Sequence, residues 1–406
     1  MIKLFKKPAA RWSAVAGGAV VVAFAVIALT QSRTPQQPAA KHSSQSTTLP
    51  VATSSSSLSA TTSPALSTVF FLDAQHGWTG GKGTILRTGN GGATWTRTHS
   101  STGDVSQIDF VTVLDGWAVA SDQLLGTTDG GVNWTPLGEP TSPLTDVSFA
   151  NTTVGWGVSS AGLVATDDAG QSWHAVSTPF PAQPATSPPY PGYESACLSS
   201  PEVGWVTAAN SIVGTTDGGK SWGTVYQAPI KSGSGEMLTT IHCAPSGAAW
   251  AMLQGPGAAM QQAYLALRTS GPNSPWTVEL ALPSMAPLYY PTVHVQQSID
   301  SYSGPFSALN AQTAFFLGNC PACGAGTTSL TYTSDAGQTW HHIQTLALGD
   351  HAVAQNGAAT IDNLAAISFV STLQGWLTDT PTGRGGYVFA TTDGGQTWKQ
   401  QYPPAG

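Results

Sequence analysis

Charge is scarce in this sequence. Its 406 residues include only 14 Lys or Arg and 21 Asp or Glu, or 9%, where soluble domains usually carry roughly 25%. A coiled coil or long-helix protein is excluded, because it needs far more Ala, Glu, Lys and Leu. Basic residues are the rarer sign and the net charge is −7, which argues against a nucleic-acid binder. The sequence also has no HExxH, no phosphate-binding Gly loop and no Ser–His–Asp order. What it has instead is 45 Gly, 28 Pro and 14 Trp, with 41% hydrophobic residues. That apolar content excludes wholesale disorder. Many glycines and aromatics with few charges suit an all-β protein rich in tight turns.

The N-terminus reads as an address. Lys3, Lys6, Lys7 and Arg11 precede an uncharged stretch from Trp12 to Gln31. Eighteen or more such residues can cross a hydrocarbon core about 30 Å thick, and the basic flank should remain in the cytoplasm. Residues 1–31 are therefore predicted to be a single-pass signal-anchor helix at the cell membrane, with the remainder outside the cytoplasm. The rival reading is a secreted protein whose signal peptide is cleaved. Residues 32–64, rich in Ser, Thr and Pro, read as a flexible tether. From Ala65 onward the chain holds 8 basic and 21 acidic residues, a net charge of −13. Nucleic acid and anionic surfaces become still less suitable as partners.

A repeat organises residues 65–406. Eight-residue boxes ending in Trp occur as TGNGGATW (88–95), TTDGGVNW (127–134), TDDAGQSW (166–173), TTDGGKSW (215–222), TSDAGQTW (333–340) and TTDGGQTW (391–398), with a degenerate TSGPNSPW at 269–276. Upstream of each lies a second aromatic mark: Trp78, Trp117, Trp156, Trp205, Trp250, Phe315 and Trp376. In the first four repeats the two marks are 17 residues apart. Seven positions before the upstream mark stand Phe71, Phe110, Phe149, Leu198, Cys243, Ala308 and Phe369. Within 105–137, VSQIDFV alternates like a half-buried strand, and WAVAS, LLGTT and the segment from Trp134 supply three more strands. Four short antiparallel strands per roughly 40 residues form a β-propeller blade. Seven units predict a seven-bladed propeller whose closure removes open sheet edges.

The boxes read as structural turns. Asp129, Asp168, Asp217, Asp335 and Asp393 can accept backbone N–H bonds, and Asn90 can do the same but cannot act as an acid or base at neutral pH. Gly131 and its equivalents tolerate positive φ. The terminal Trp residues (Trp95, Trp134, Trp173, Trp222, Trp340 and Trp398) cover the turns.

These boxes resemble the Asp-box, or bacterial neuraminidase repeat, of sialidases, xyloglucanases and sortilin-like receptors. The pairing of F-x6-W marks with TTDGGxTW boxes is most similar to the photosystem II stability/assembly factor-like family. That resemblance covers about 66–398 and implies a seven-bladed, extracytoplasmic, non-catalytic assembly factor. In that family a positive patch contributes to partner contact, and this propeller departs from it with a net charge of −13, which argues against a photosystem client and leaves an assembly, scaffold or receptor role. The FRIP-like motif of sialidases is missing, and beyond the tether only Arg87, Arg97, Arg268 and Arg384 remain to build an arginine cluster.

Insertions lengthen the later repeats at about 178–196, 226–241, 254–264, 282–305, 318–330, 344–363 and 379–386. Each reads as a second-to-third-strand loop or an inter-blade link, on the face opposite the boxes. Long loops on a rigid scaffold usually carry binding. Tyr190, Tyr193, Glu194, Tyr289, Tyr290, Tyr302, Asp379 and Arg384 are the candidate binding residues there, with no catalytic residue and no metal site assigned. The bland counterpart is that these loops fold over the central channel and plug it. A protein or glycan partner outside the cytoplasm, and no cofactor, is the resulting expectation. The enzyme alternative is a glycoside hydrolase using carboxylates on the same face, drawn from Glu194, Asp300, Asp350 and Asp379. Four cysteines suit an oxidising exterior. Cys320 and Cys323 suggest a local disulfide. Cys197 and Cys243, near the starts of successive blades, suggest another, although a one-residue offset could point them apart.

Overall fold

The computed structural model describes residues 63–121, 123–138, 140, 142–179, 195–208, 210–229, 238–244, 247–258, 261–282, 299–320, 328–346, 348, 364–380 and 385–404. The chain divides into two units, Met1–Thr47 and Thr48–Gly406, and every described residue belongs to the second. The apolar segment 1–31 and most of the tether thus lie outside the described residues. Among those described, no helix is long and apolar enough to cross a membrane.

Every regular element described is a β-strand, and the strands form six antiparallel sheets. The first sheet contains β1 (Leu66–Phe71), β2 (Gly77–Thr88), β3 (Thr96–Phe110), β4 (Gly116–Ala120), β5 (Gln123–Thr127) and β6 (Thr135–Pro136). The second contains β7 (Leu144–Phe149), β8 (Gly155–Ser159), β9 (Gly162–Thr166) and β10 (His174–Ala175). The third contains β11 (Ser195–Leu198), β12 (Gly204–Ala208), β13 (Ser211–Thr215) and β14 (Gly223–Gln227). The fourth contains β15 (Leu238–Ala244), β16 (Ala248–Ala258), β17 (Gln261–Thr269) and β18 (Thr277–Leu282). The fifth contains β19 (Tyr302–Ala308), β20 (Ala314–Asn319), β21 (Thr328–Thr333) and β22 (His341–Ile343). The sixth contains β23 (Leu364–Phe369), β24 (Gly375–Asp379), β25 (Tyr387–Thr391) and β26 (Lys399–Tyr402).

Two details differ from the sequence reading. The strand that ends the first repeat and the strand that opens the second are one continuous element, β3. Its first part pairs with β2 and its second part with β4, with Val105 already opposite Ala120. The second and third repeats have the same spacing but keep β6 and β7 separate, so the continuity of β3 comes from ladder bonds that pass directly from β2 to β4, with Asp104 opposite Lys82 and Val105 opposite Ala120. The expected loop at 254–264 is largely strand: β16 and β17 stay paired beyond a bulge, with Gly257 opposite Gln262 and Ala258 opposite Gln261.

The core is layered between neighbouring sheets. Phe71 stacks on Trp376 with ring centroids 3.5 Å apart, Phe110 on Trp78 at 3.5 Å, Phe149 on Trp117 at 3.5 Å, and Phe369 on Phe315 at 3.7 Å. The edges of the same four Phe rings meet the box Trp of their own repeat, as in Phe71 with Trp95 and Phe110 with Trp134. Each upstream mark therefore belongs to one repeat and packs on the next. Such pairs add about 0.5–1.5 kcal/mol beyond burial. The glycine of each GW pair follows from this packing. A Cβ at Gly77, Gly116, Gly155 or Gly375 would overlap the ring of Phe71, Phe110, Phe149 or Phe369.

The boxes close as local networks. In 127–134 the Asp129 Oδ1 accepts the Asn133 N–H at 2.9 Å and the Thr127 hydroxyl at 2.9 Å, while Thr127 Oγ1 accepts the Gly131 N–H at 2.9 Å. Gly131 has φ +77°. Asn90 makes the same bond to the Thr94 N–H, at 2.9 Å. Each box also reaches the turn between the first two strands of its repeat, as in Gly130 N–H to Leu114 O at 2.8 Å and Gly394 N–H to Leu373 O at 2.9 Å. Those two kinds of turn thus share one end of the sheets. Connections between second and third strands lie at the other.

Candidate functional site

The first strands of successive units touch one another in a circuit through β1, β3, β7, β11, β15, β19 and β23, and β23 returns to β1. They enclose a central cavity of about 900 Å³. A recurrent linkage joins them: the residue just before each apolar mark reaches the mark, or the strand bearing it, in the next unit. Asp109 Oδ2 accepts the Phe149 N–H at 3.0 Å, Ser148 Oγ the Leu198 N–H at 2.9 Å, Ser307 Oγ the Phe369 N–H at 2.9 Å, and Ser368 Oγ the Phe71 N–H at 3.0 Å. At the equivalent place Cys197 is joined to Cys243 by a disulfide, with Cα atoms 5.4 Å apart. The one-residue offset is thus the ordinary stagger between neighbouring inner strands. The recurrence of Asp109, Ser148, Ser307 and Ser368 was the sequence signal for it. Cys320 is also disulfide-bonded, and Cys323 lies outside the described residues.

Sequence reasoning did not single out the titratable groups of the channel. Asp109, Asp146 and His242 line it. Burial raises the Asp109 carboxyl to about 6, helped by the nearby Asp146 charge and opposed by the Phe149 N–H. Burial also raises Asp146, against the Ala196 N–H and the Ser195 hydroxyl that it accepts at 2.9 and 2.8 Å. Both carboxylates accept backbone N–H bonds from the next sheet, which makes them staples of the channel wall. His242 faces the same enclosed space, stacked on Phe306 with centroids 4.3 Å apart. Burial holds its pKa down to about 4, so it is neutral at pH 7.

A second cavity of about 240 Å³ adjoins the channel, sharing Gln254, Gly304 and Pro305 with it. It sits at the strand ends away from the boxes, where β20 ends at Asn319 and β21 begins at Thr328. Tyr302, at the start of β19, lines it. A bulge in β19 between Ser303 and Phe306 opens the wall at Gly304 and Pro305; bulges of this kind re-aim side chains beside sites.

The other candidates are dispersed. Asp379 closes β24 in the sixth sheet, buried, and burial raises its pKa to about 6 against a bond from the Thr380 backbone. Asp300 is also raised, by burial first, opposed by a bond from Ser329. Its carbonyl accepts the Tyr264 hydroxyl at 2.9 Å. Arg87 donates to Gly130 O at 3.4 Å, and Arg268 pairs with Glu279 at 3.2 Å. Tyr190, Tyr193, Glu194, Tyr289, Tyr290, Asp350 and Arg384 lie outside the described residues. Among the described residues no cluster of His, Cys, Asp and Glu has the arrangement to hold a metal ion.

No family model matches this sequence, and no curated protein does. Among solved structures, an ancestral GH74 enzyme is similar over 84% of this chain and 47% of its own, with TM-score 0.52 and 12% identity. An extracellular domain assigned to a hybrid two-component system of B. thetaiotaomicron is similar over 82% of this chain and 38% of its own, with TM-score 0.50 and 11% identity. U3-55K is similar over 81% of this chain and 95% of its own, with TM-score 0.52 and 7% identity. This chain therefore spans less than half the length of the first two. Together with the circuit of inner strands, these likenesses identify the fold as a β-propeller.

Proposed function

We propose that this chain is a membrane-tethered, extracytoplasmic, seven-bladed Asp-box propeller that binds a protein or glycan partner without transforming it. Seven blades follow if β3 is divided between the first two units. Residues 1–31 serve as the anchor, 32–64 as the tether and 65–406 as the propeller. The assembly-factor-like role implied by the repeat resemblance belongs to this reading. The observation that carries it is the cavity at the strand ends, lined by Tyr302 and uncharged polar side chains and set beside the channel. A ring whose connections between second and third strands share one end is a scaffold for recognition.

The glycosidase reading needs two carboxylates facing a substrate across roughly 5–10 Å. The channel carboxylates Asp109 and Asp146 each accept a backbone N–H of the next sheet, from Phe149 and Ala196, a wall-building role that supports binding over hydrolysis. Photo-crosslinking in intact cells, with the probe placed at Tyr302, tests the proposal. A discrete extracytoplasmic partner, lost when Tyr289 and Tyr290 are replaced by Ala while the melting temperature moves by no more than a few degrees, is expected. Turnover of a polysaccharide by the purified full chain, abolished by a single Asp→Asn change, would overturn it.

A further inference from the structure

The cavity beside the channel has a chemistry narrower than a general interface. Its described walls include Gln254, Gln262, Tyr302, Ser303, Asn319 and Thr328, and no charged residue is among the described lining residues. An uncharged polar lining gives a carboxylate, phosphate or ammonium no compensation for the water it would lose. A wholly apolar ligand would strand the amides and hydroxyls. A neutral ligand dense in hydroxyl groups satisfies both conditions.

The walls are held in place. Gln254 donates from Nε2 to Ser303 O and Ser303 Oγ, each at 2.9 Å, bridging the fourth and fifth sheets. The Gln262 N–H bonds Ser301 O at 2.8 Å across the same junction. Beneath, the Tyr264 hydroxyl donates to Asp300 O at 2.9 Å and accepts the Ile299 N–H at 2.8 Å. Against this rigid setting one atom stands out. The Asn319 Oδ1 is buried and has no hydrogen-bond partner. A buried carbonyl oxygen left alone costs about 1–3 kcal/mol, and a rotation of the Asn319 amide that turns this oxygen toward the cavity lets a ligand donor satisfy it. Asn319 lies opposite both Tyr302 and Thr328 in the strand register, so the orphan acceptor, an aromatic ring and a hydroxyl meet at one place.

We propose that this cavity binds one neutral sugar residue of a glycan. With the Asn319 amide turned toward the cavity, a sugar hydroxyl donates to its Oδ1, and the apolar face of the ring rests on Tyr302. The volume of about 240 Å³ is below the roughly 300–1,000 Å³ of sites for drug-sized ligands, which limits the occupant to a single ring. This rests on the binding reading above and names the ligand class for the same face.

The test is saturation-transfer NMR and calorimetry on the full chain, using methyl glycosides of glucose, galactose, mannose and N-acetylglucosamine. N-acetylneuraminic acid and inorganic phosphate serve as charged comparators. At least one neutral glycoside is expected to bind, with affinity reduced tenfold or more in Asn319→Ala and Tyr302→Ala. The melting temperatures of both alanine variants are measured alongside, and a native value for either one separates loss of the site from misfolding. Preference for the charged comparators would overturn the ligand class. Neutral-sugar binding that both alanine variants leave unchanged would overturn the site. Capture of a protein partner through Tyr302 with no sugar bound would overturn this inference while leaving the proposed function standing.

Discussion

The Ser368 hydroxyl accepts the backbone N–H of Phe71 at 3.0 Å across 297 residues of sequence. It is one strand of a seam between the first and last sheets. The Trp376 indole donates to Gly91 O at 3.1 Å, the Leu66 N–H donates to Thr380 Oγ1 at 3.0 Å, and Phe71 lies flat on Trp376. Among the described residues no strand passes from one end of the chain into the other's sheet. Among the described residues, closure therefore rests on side chains together with one main-chain bond, from the Gly386 N–H to Pro64 O at 2.8 Å. Phe71→Ala and Trp376→Ala are each expected to cost about 3–5 kcal/mol, with a coupling of about 0.5–1.5 kcal/mol in the double-mutant cycle. Urea denaturation of the four proteins measures both.

A pair of glycines separates packing from backbone freedom. A Cβ at Gly116 would overlap the Phe110 ring, which is clamped between Trp78 and Trp134. Gly116→Ala is expected to destabilise by about 1–3 kcal/mol. At Gly223 nothing lies within 4 Å of the added atom, and Gly223→Ala is expected to be neutral or to stabilise by about 0.4–1 kcal/mol. Denaturation midpoints that move together for the two variants would refute this account.

Asp109 makes the protein more stable in mild acid. Its folded pKa of about 6 lies above the ordinary 3.8, so its stabilising contribution is full below about pH 4 and lost as pH rises through 6. Asp109→Asn keeps an oxygen for the Phe149 N–H and removes the charge. It is expected to be more stable than the native chain by about 1–2 kcal/mol at pH 7.5, after discounting the side facing the channel, and equal to it at pH 4. Thermal melts at the two pH values test the difference.

The box carboxylates work in the opposite direction. A hydrogen bond from the Ser172 hydroxyl, then one from its N–H, holds Asp168 down to about 2, and Ser221 does the same for Asp217. Their contribution is present above about pH 4 and lost as pH falls through 2. Asp168→Asn, copying Asn90, is expected to fold normally and to flatten the acid limb of the stability curve. Asp168→Ala is expected to lower stability at pH 7 as well. Fluorescence-monitored unfolding from pH 5 to 1.5 distinguishes the two.

The Cys197–Cys243 bridge closes a sequence separation of 46, for which chain entropy gives about 4 kcal/mol. The double Ser variant is expected to melt at a clearly lower temperature yet remain folded, because the neighbouring junctions hold by hydrogen bonds and ring packing without a disulfide. Thiol titration of the unfolded, unreduced protein should find no free thiol among the described cysteines.

The strands and turns were legible in the chain because their causes are local. Alternation in VSQIDFV, the Thr–Asp–Gly order of the boxes and the need for positive φ at Gly131 act within a few residues. The aromatic marks were legible as a count, but not as partners. That Trp78 packs on Phe110 rather than Phe71 is decided by which repeat lies beside which. Likewise the stagger joining Cys197 to Cys243, and the meeting of Gln254, Tyr302 and Asn319, depends on how neighbouring sheets are set against each other. No periodicity records that angle. The sequence by itself determined the repeating sheet, since hydrogen-bonded turns and alternating burial are short-range effects. Only the tertiary structure decided the closed seam, the channel and the cavity, because each is made where residues distant in the chain are packed side by side.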